Sequence, residues 1–466
     1  MAPIEYFGYA LFALLALLVL ASVSAPFYRR KKASFVLGAT LLASIALTAS
    51  YLFASGSSFY LFNIFKIYQF SMLFAGLFSI LLLLVMVLSY DAPSSFNSFF
   101  MMFGFAAIGI ILVPMASSMV GLLLSLELAS IPAIFMIAIN GKRFIESSVK
   151  LLIMSGIAIS ILVFAMALIF PYDAQLSLVQ VSAFGLIKGS YLVLLALVLF
   201  IGGLSIEAAL FPFNLWVPDV YQGAPANMSA MLSGINKKIA FVALMEIVFT
   251  VFAAYSATYA TLFMVLSILT MFFGNLAAMV QKNVKRLLAY SSISQAGYIL
   301  VGFAAASQYG LEASIFQIIT HSFMIIGAFA IIMLLENLGI RTIDEYRGMS
   351  SRNGYLALAL SLLLLSMAGV PPLMGFTGKF LLFTSAIKSN LLALALIGIL
   401  NSFISIYYYS KVIIVMYQPK REERLVIPKA VIAVISIALL VIVIFGVYPQ
   451  PMISIAERAA SALLGV

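Results

Sequence analysis

The run Ala368-Gly369-Val370-Pro371-Pro372-Leu373-Met374-Gly375-Phe376-Thr377-Gly378-Lys379-Phe380 lies inside an otherwise apolar stretch from 353 to 383. The stretch is long enough to cross a bilayer, yet two prolines and three glycines break it and a lysine follows the break. Proline removes a backbone hydrogen bond and clashes with the carbonyl four residues earlier. In hydrocarbon the freed carbonyls must be met by protein or by water. A single break of this kind reads as a kink, since proline is commoner in membrane helices. A second break, around Pro212 and Pro218 in the stretch 190–217, changes that reading. Paired interrupted helices in corresponding positions of two halves point to a transport site.

The rest of the composition agrees with a membrane solvent. Of 466 residues 65% are apolar and only 9% charged, against about 25% charged in a soluble domain. The first apolar stretch, from Tyr6 to Pro26, is too long for a signal-peptide core and lacks a basic leader, so it reads as a retained helix. There are no cysteines, which excludes iron–sulfur clusters, disulfides and zinc–thiolate sites in this chain. His321 is the only histidine, so a bis-histidine haem is excluded too. No metal, nucleotide or redox cofactor is expected here, and no strand pattern precedes a phosphate loop. The net charge of +10 belongs to topology and not to nucleic acid.

A span needs roughly 20 apolar residues. The expected helices are 6–28, 33–54, 67–90, 97–116, 118–140, 146–170, 190–217, 226–253, 256–281, 285–305, 311–338, 353–383, 389–418 and 427–447. The even-numbered loops carry little basic charge, in Lys66, Lys188 and Lys388. The odd-numbered loops hold Arg29-Arg30-Lys31-Lys32, then Lys142, Arg143 and Lys150, and then Lys282, Lys285 and Arg286. Beyond these come Arg341, Arg347 and Arg352, and finally Lys420, Arg421, Arg424 and Lys429. The positive-inside rule puts the odd loops in the cytoplasm and both termini outside an inner (plasma) membrane. The two broken helices are seven and twelve, each the fourth in a block of five. A five-helix repeat inverts on its second pass. The fold expected is therefore all-α and membrane-spanning, with about 14 helices. Its domains are N-terminal helices (1–96), a first repeat of helices 4–8 (97–253), an inverted repeat of helices 9–13 (256–418) and a C-terminal helix with tail (427–466).

Ionisable residues stand where lipid should be, at about 2.5–3.5 kcal/mol each on insertion scales. They are Glu127 in helix five, Lys150 in six, Glu207 in seven, and Lys237, Lys238 and Glu246 in eight. The second block adds His321 in eleven, Lys379 in twelve and Lys411 in thirteen. For Lys150 and Lys411, near helix ends, snorkelling competes with function; for Glu246 a structural pair does. Glu127, Lys237 and Lys379 are the least explained by structure alone. Lysine suits proton work because burial favours its neutral form and a nearby carboxylate favours the charged one. A charge ~7 Å away at an effective dielectric of ~20 is worth about 2.4 kcal/mol, so moving a carboxylate loads and unloads a lysine.

These residues lie in longer ordered blocks. They are Leu126-Glu127-Leu128-Ala129-Ser130-Ile131-Pro132, Val217-Pro218-Asp219-Val220-Tyr221-Gln222-Gly223-Ala224-Pro225, Asn283-Val284-Lys285-Arg286-Leu287-Leu288-Ala289-Tyr290-Ser291-Ser292-Ile293, and the broken-helix run from Ala368. Across nearly its whole length the chain resembles the antiporter-like N-type subunits of respiratory complex I, the proton-pumping NADH–quinone oxidoreductase. The resemblance implies a pair of half-channels joined by a hydrophilic axis and driven by redox chemistry in other chains. Glu127 matches the family's helix-five glutamate, Lys150 its helix-six lysine, Lys237 its central lysine and Lys379 its exit lysine. The departure is at helix seven, where the family's lysine is Glu207 and the histidine of its Pro-Phe-His motif is Asn214. Lys238 is the candidate cation for Glu207, an exchanged pair, while Glu127 and Lys237 are expected to share one electrostatic cluster.

The implied partners are other membrane-arm subunits, the lipid bilayer and protons, with no nucleic acid. Two alternatives stay open. One is a subunit of a multi-subunit cation/proton antiporter or membrane-bound hydrogenase. The other is a non-pumping scaffold subunit, which the Glu207 departure keeps open.

Overall fold

The computed structural model describes residues 4–28, 30–62, 64–91, 95–178, 190–420 and 424–465. Arg29, Lys188 and Arg421, which enter the loop-charge pattern, lie outside the described residues.

The apolar runs fold as helices α1 (Glu5–Tyr28), α2 (Lys31–Ser55), α3 (Gln69–Leu88), α4 (Phe96–Leu112), α5 (Met119–Ile139), α6 (Ile145–Ile169) and α7 (Tyr191–Glu207). After α7 come two short helices, α8 (Trp216–Gly223) and α9 (Ala226–Met231), and then α10 (Lys237–Glu246). The chain continues through α11 (Ser256–Met279), α12 (Val284–Ala304), α13 (Gln308–Asn337), α14 (Gly354–Ala368) and α15 (Met374–Lys388). It ends with α16 (Leu392–Tyr417), α17 (Lys429–Val447) and α18 (Gln450–Leu464). Polar side chains start several of them. Ser118, Asn283, Ser307 and Asn353 each accept the backbone N–H three residues on, which satisfies a donor the first turn leaves open.

Eleven of the described helices are long and apolar enough to cross a membrane. The three expected spans missing from that set are seven, eight and twelve, and each is interrupted. Span seven divides into α7 and α8 around Ala209, which holds a left-handed φ of 58°, and Pro212. Span twelve divides into α14 and α15 around Pro371-Pro372. Span eight carries π-helical turns at Leu232–Asn236 and Ile247–Val251 on either side of α10. Such turns recur at functional sites.

The chain forms two compact units. One takes in residues up to 208, 235–259 and the last residues from 458; the other takes in 209–234 and 260–457. The chain passes between them just after α7, so the segment that completes span seven packs in the second unit, on α12 and α13. Periodicity alone could not show this, because the break lets consecutive halves of one span fold apart.

Two smaller features differ from expectation. A hairpin of three-residue strands, β1 (Phe59–Leu61) and β2 (Phe65–Ile67), joins α2 to α3. Its strands are too short to register as a pattern. The tail after α17 is helical and amphipathic, with Ala456, Ala459, Ala460 and Leu463 buried.

In the second unit, the break in span twelve is closed by backbone. Gly369 caps α14 with a left-handed φ of 89°, a conformation glycine adopts without a Cβ penalty. Gly375 comes so close to the turn above that a Cβ there would lie 1.8 Å from the Ser366 carbonyl oxygen. Gly375→Ala is therefore expected to force the two half-helices apart at a cost of about 1–3 kcal/mol. Thermal unfolding in detergent checks this, and a midpoint equal to that of the parent protein refutes it.

Candidate functional site

In the second unit the site begins at the end of α14. The last carbonyls of a helix lack partners and carry the negative end of its dipole. Lys379 of α15 reaches back across the break, and its Nζ donates to the Ala368 carbonyl and to Ser402 Oγ, both at 2.9 Å. The Ser402 hydroxyl donates to the same carbonyl at 3.0 Å. The ammonium also lies 4.5 Å from the centre of the Tyr298 ring, a cation–π distance. With 3% of its surface exposed, Lys379 turns away from lipid and is held wholly by neutral groups.

Around it runs a buried network that charge counting in the sequence missed. Asn275 Nδ2 donates to Asn401 Oδ1 at 3.0 Å and to the Tyr298 hydroxyl at 3.4 Å, and the Tyr408 hydroxyl donates to Asn275 Oδ1 at 3.0 Å. Gln317 donates to Gln295 at 2.9 Å, and Gln295 donates to the Met367 carbonyl at 3.0 Å. His321 is fully buried in α13, one helical turn beyond Gln317. Lys411 is half-buried in α16 and joins none of these bonds. The one available signal was the polar run Ser291-Ser292-Ile293-Ser294-Gln295 in an otherwise apolar span.

Two of the quoted blocks meet at the start of α12. Lys285, 4% exposed, forms a forked ion pair with Glu336, 3.0 Å to each oxygen, and donates to the Ala224 carbonyl at 2.6 Å. Arg286 donates to Asp219 at 2.7 Å and to Gln222 at 3.2 Å. Lys285 and Arg286, loop charges by sequence, thus clasp the Pro-Asp-Val-Tyr-Gln segment.

The first unit is built differently. Glu127 is half-buried on α5, and the Glu207 carboxyl acts on it through space. Glu207, the last residue of α7, accepts a 2.6 Å hydrogen bond from Ser155 of α6. The exchanged Glu207–Lys238 ion pair is not formed: a hydroxyl meets the carboxyl instead. Lys238 is fully buried, its Nζ has no hydrogen-bond partner, and the centre of the Phe241 ring lies 5.8 Å from it. Lys237 is 1% exposed at the start of α10. Lys150 sits in the first two turns of α6 and pairs with Glu146 at 2.8 Å, both partly exposed. Glu246, at the end of α10, accepts from the Tyr68 hydroxyl at 3.3 Å.

The family described as NADH:quinone oxidoreductase/Mrp antiporter, transmembrane, matches residues 116–405. NADH-quinone oxidoreductase subunit N of Trichlorobacter lovleyi is 34% identical over 371 residues, which span 77% of this chain and 76% of that protein. The F(420)H(2) dehydrogenase subunit N of Methanosarcina mazei is 32% identical over 384 residues, 79% of this chain and 78% of that one. A chain in the structure of respiratory complex I from Thermus thermophilus with bound Aureothin superposes with a TM-score of 0.81 at 27% identity. That superposition covers 95% of this chain and 99% of that one.

The Lys285–Glu336 pair generates a test of its own. Removing one partner of a buried pair leaves the other charge uncompensated, at about 3–5 kcal/mol. Glu336→Ala is expected to lower the unfolding midpoint sharply, and Lys285→Met combined with Glu336→Leu to recover most of it. A Glu336→Ala protein as stable as the parent would refute the clasp.

Proposed function

We propose, for a chain that belongs to the NADH:quinone oxidoreductase/Mrp antiporter membrane family, that it is the proton-translocating membrane-arm subunit of a complex I-like quinone oxidoreductase. The observation that carries the proposal is Lys379, a buried amine held at a helix break by the Ala368 carbonyl and the Ser402 hydroxyl.

Neutral acceptors hold an ammonium and an amine alike, since an amine still has two hydrogens to donate. The side chain therefore keeps its place when its proton leaves. The carbonyl end of α14 offsets the charge when the proton is present, and the Asn275–Asn401–Tyr408 network supplies polar neighbours across the same unit. In the first unit, Glu127, Glu207, Lys237 and Lys238 are the groups assigned to proton transfer. Glu207 acts through its bond to Ser155. His321 and Lys411 extend the path in the second unit. Lys150, in its ion pair with Glu146, is the least apt carrier.

No redox cofactor is assigned to this chain, which has no cysteine and a single histidine. Electrons pass through partner subunits, and the chain receives their energy as a change of charge or packing. The relatives' names leave the donor open between NADH and F(420)H(2). The location assigned is the inner (plasma) membrane, with both termini outside.

A second reading, a bracing subunit that does not pump, draws on the first unit, where the Glu207 carboxyl acts on Glu127 through space and is met by the Ser155 hydroxyl, with no ion pair to Glu207 among the described residues. The two readings part on one experiment. With the assembled complex in proteoliposomes, Lys379→Ala is expected to lower the protons moved per electron several-fold for this subunit's share, while quinone reduction continues. Unchanged pumping would favour the brace.

A further inference from the structure

The first unit holds a cavity of about 250 Å3 whose walls include Lys66, Tyr68, Ser117, Glu246, Thr250 and Leu463. Its walls come from the β2 strand, the α4–α5 and α6–α7 connections, the end of span eight and the end of α18. The connections among these are even-numbered loops, which the charge segregation puts outside. Glu246 is 2% exposed. One of its carboxyl oxygens accepts from Tyr68, and the other, Oε2, is buried with no hydrogen-bond partner. An unpartnered polar atom at a buried position is costly and asks for an occupant.

The surroundings fit a proton. The Lys66 ammonium lies 4.2 Å from the centre of the Tyr68 ring and acts on Glu246 through space without forming an ion pair. Burial draws the Lys66 ammonium below the ordinary lysine range, and the Glu246 carboxylate pulls it partly back. Lys66 and the Tyr68 hydroxyl are the charged and titratable groups facing Glu246; the other elements of the wall present hydroxyls, apolar side chains and backbone. The π-helical turn Ile247–Val251 follows Glu246 directly, and the Thr250 hydroxyl donates to the Glu246 carbonyl. Irregular backbone at membrane depth is tolerated where it lines a wet cavity. Glu246 stands roughly 14 Å along the helix from Lys237, on the side of the cavity.

We propose that Glu246 is the outward proton-exchange group of the first unit. Its carboxyl gives its proton to water in the cavity, and the carboxylate that remains is met by the Lys66 ammonium and the Tyr68 hydroxyl. A proton arriving from the Lys237–Lys238 side restores the acid. This rests on the reading of the chain as a proton carrier.

Accessibility and transport test it separately. The chain has no cysteine, so Thr250→Cys places one thiol in it, readable by the mass of this subunit within the whole complex. A membrane-impermeant thiosulfonate is expected to modify it from the outer face and not from the cytoplasmic face. Modification from the cytoplasmic face, or from neither, overturns the proposal. In proteoliposomes Glu246→Gln is expected to lower protons per electron while quinone reduction is retained. Pumping at the parent level in Glu246→Gln, with loss in Lys379→Ala, overturns the exchange site alone. Parent-level pumping in both variants overturns it together with the proton-carrier reading. If Glu246→Gln does not assemble, Glu246→Asp and Lys66→Met replace it, each expected to lower the same ratio, and parent-level values in both overturn the proposal.

Discussion

The second unit depends on one contact, the Lys379 ammonium on the carbonyl that ends α14. Hydrocarbon solvates neither a charge nor an open backbone carbonyl. Each is a liability alone, and the break in span twelve joins them so that each meets the other's need. The left-handed Gly369 turns the chain out of the helix, leaving the Ala368 carbonyl free to accept. Gly375 lets α15 begin close enough for Lys379 to reach it. Ser402 and Tyr298 then fill the space around the amine with neutral polar and aromatic surface. Prolines, glycines and lysine are thus one device, and none of its parts is tolerable in lipid without the rest.

The first unit meets the same constraint by other means. Its buried bases sit at the start of α10, between two π-helical turns, where backbone geometry departs from the α ladder. Its carboxyls answer to hydroxyls, Glu207 to Ser155 and Glu246 to Tyr68, in place of the carboxylate–lysine pairing that the family pattern leads one to expect. A hydroxyl accepts from a protonated carboxyl as readily as it donates to an ionised one. Replacing a cation by a hydroxyl therefore removes a fixed charge without removing the ability to hold a proton. For that reason Glu207 is compatible with transport even though its expected cation is absent.

What could be seen in the sequence was whatever lipid makes expensive. Broken spans announced themselves through Pro212, Pro218 and Pro371-Pro372, and buried amines through isolated charges such as Lys379 and Lys237. Cheap groups stayed hidden. Asn275, Asn401 and Tyr408 are unremarkable one at a time in membrane helices and become a network only when α11 and α16 converge. The weight of Glu246 depends on Lys66 and Tyr68, far away in the chain. The passage of residues 209–234 into the second unit was hidden too, because hydrophobic periodicity reports which face of a helix is buried and not what it is buried against. Lys285 shows the opposite failure: a loop charge by sequence is a buried clasp in the fold.

Lys285 and Lys379 together show how burial alone misleads. Both are almost wholly buried, and both accept help from a backbone carbonyl. Lys285 also has a carboxylate forked around it. That partner rewards the charged form only, and losing the proton would strand a second charge beside it. Such a lysine is a clamp, holding Ala224 and the segment before it to α12. Lys379 has no such partner among the described residues, and dipoles that tolerate both states surround it. Depth in the membrane makes a lysine rare, but the charge of its neighbours decides whether its surroundings reward only the charged form or tolerate both.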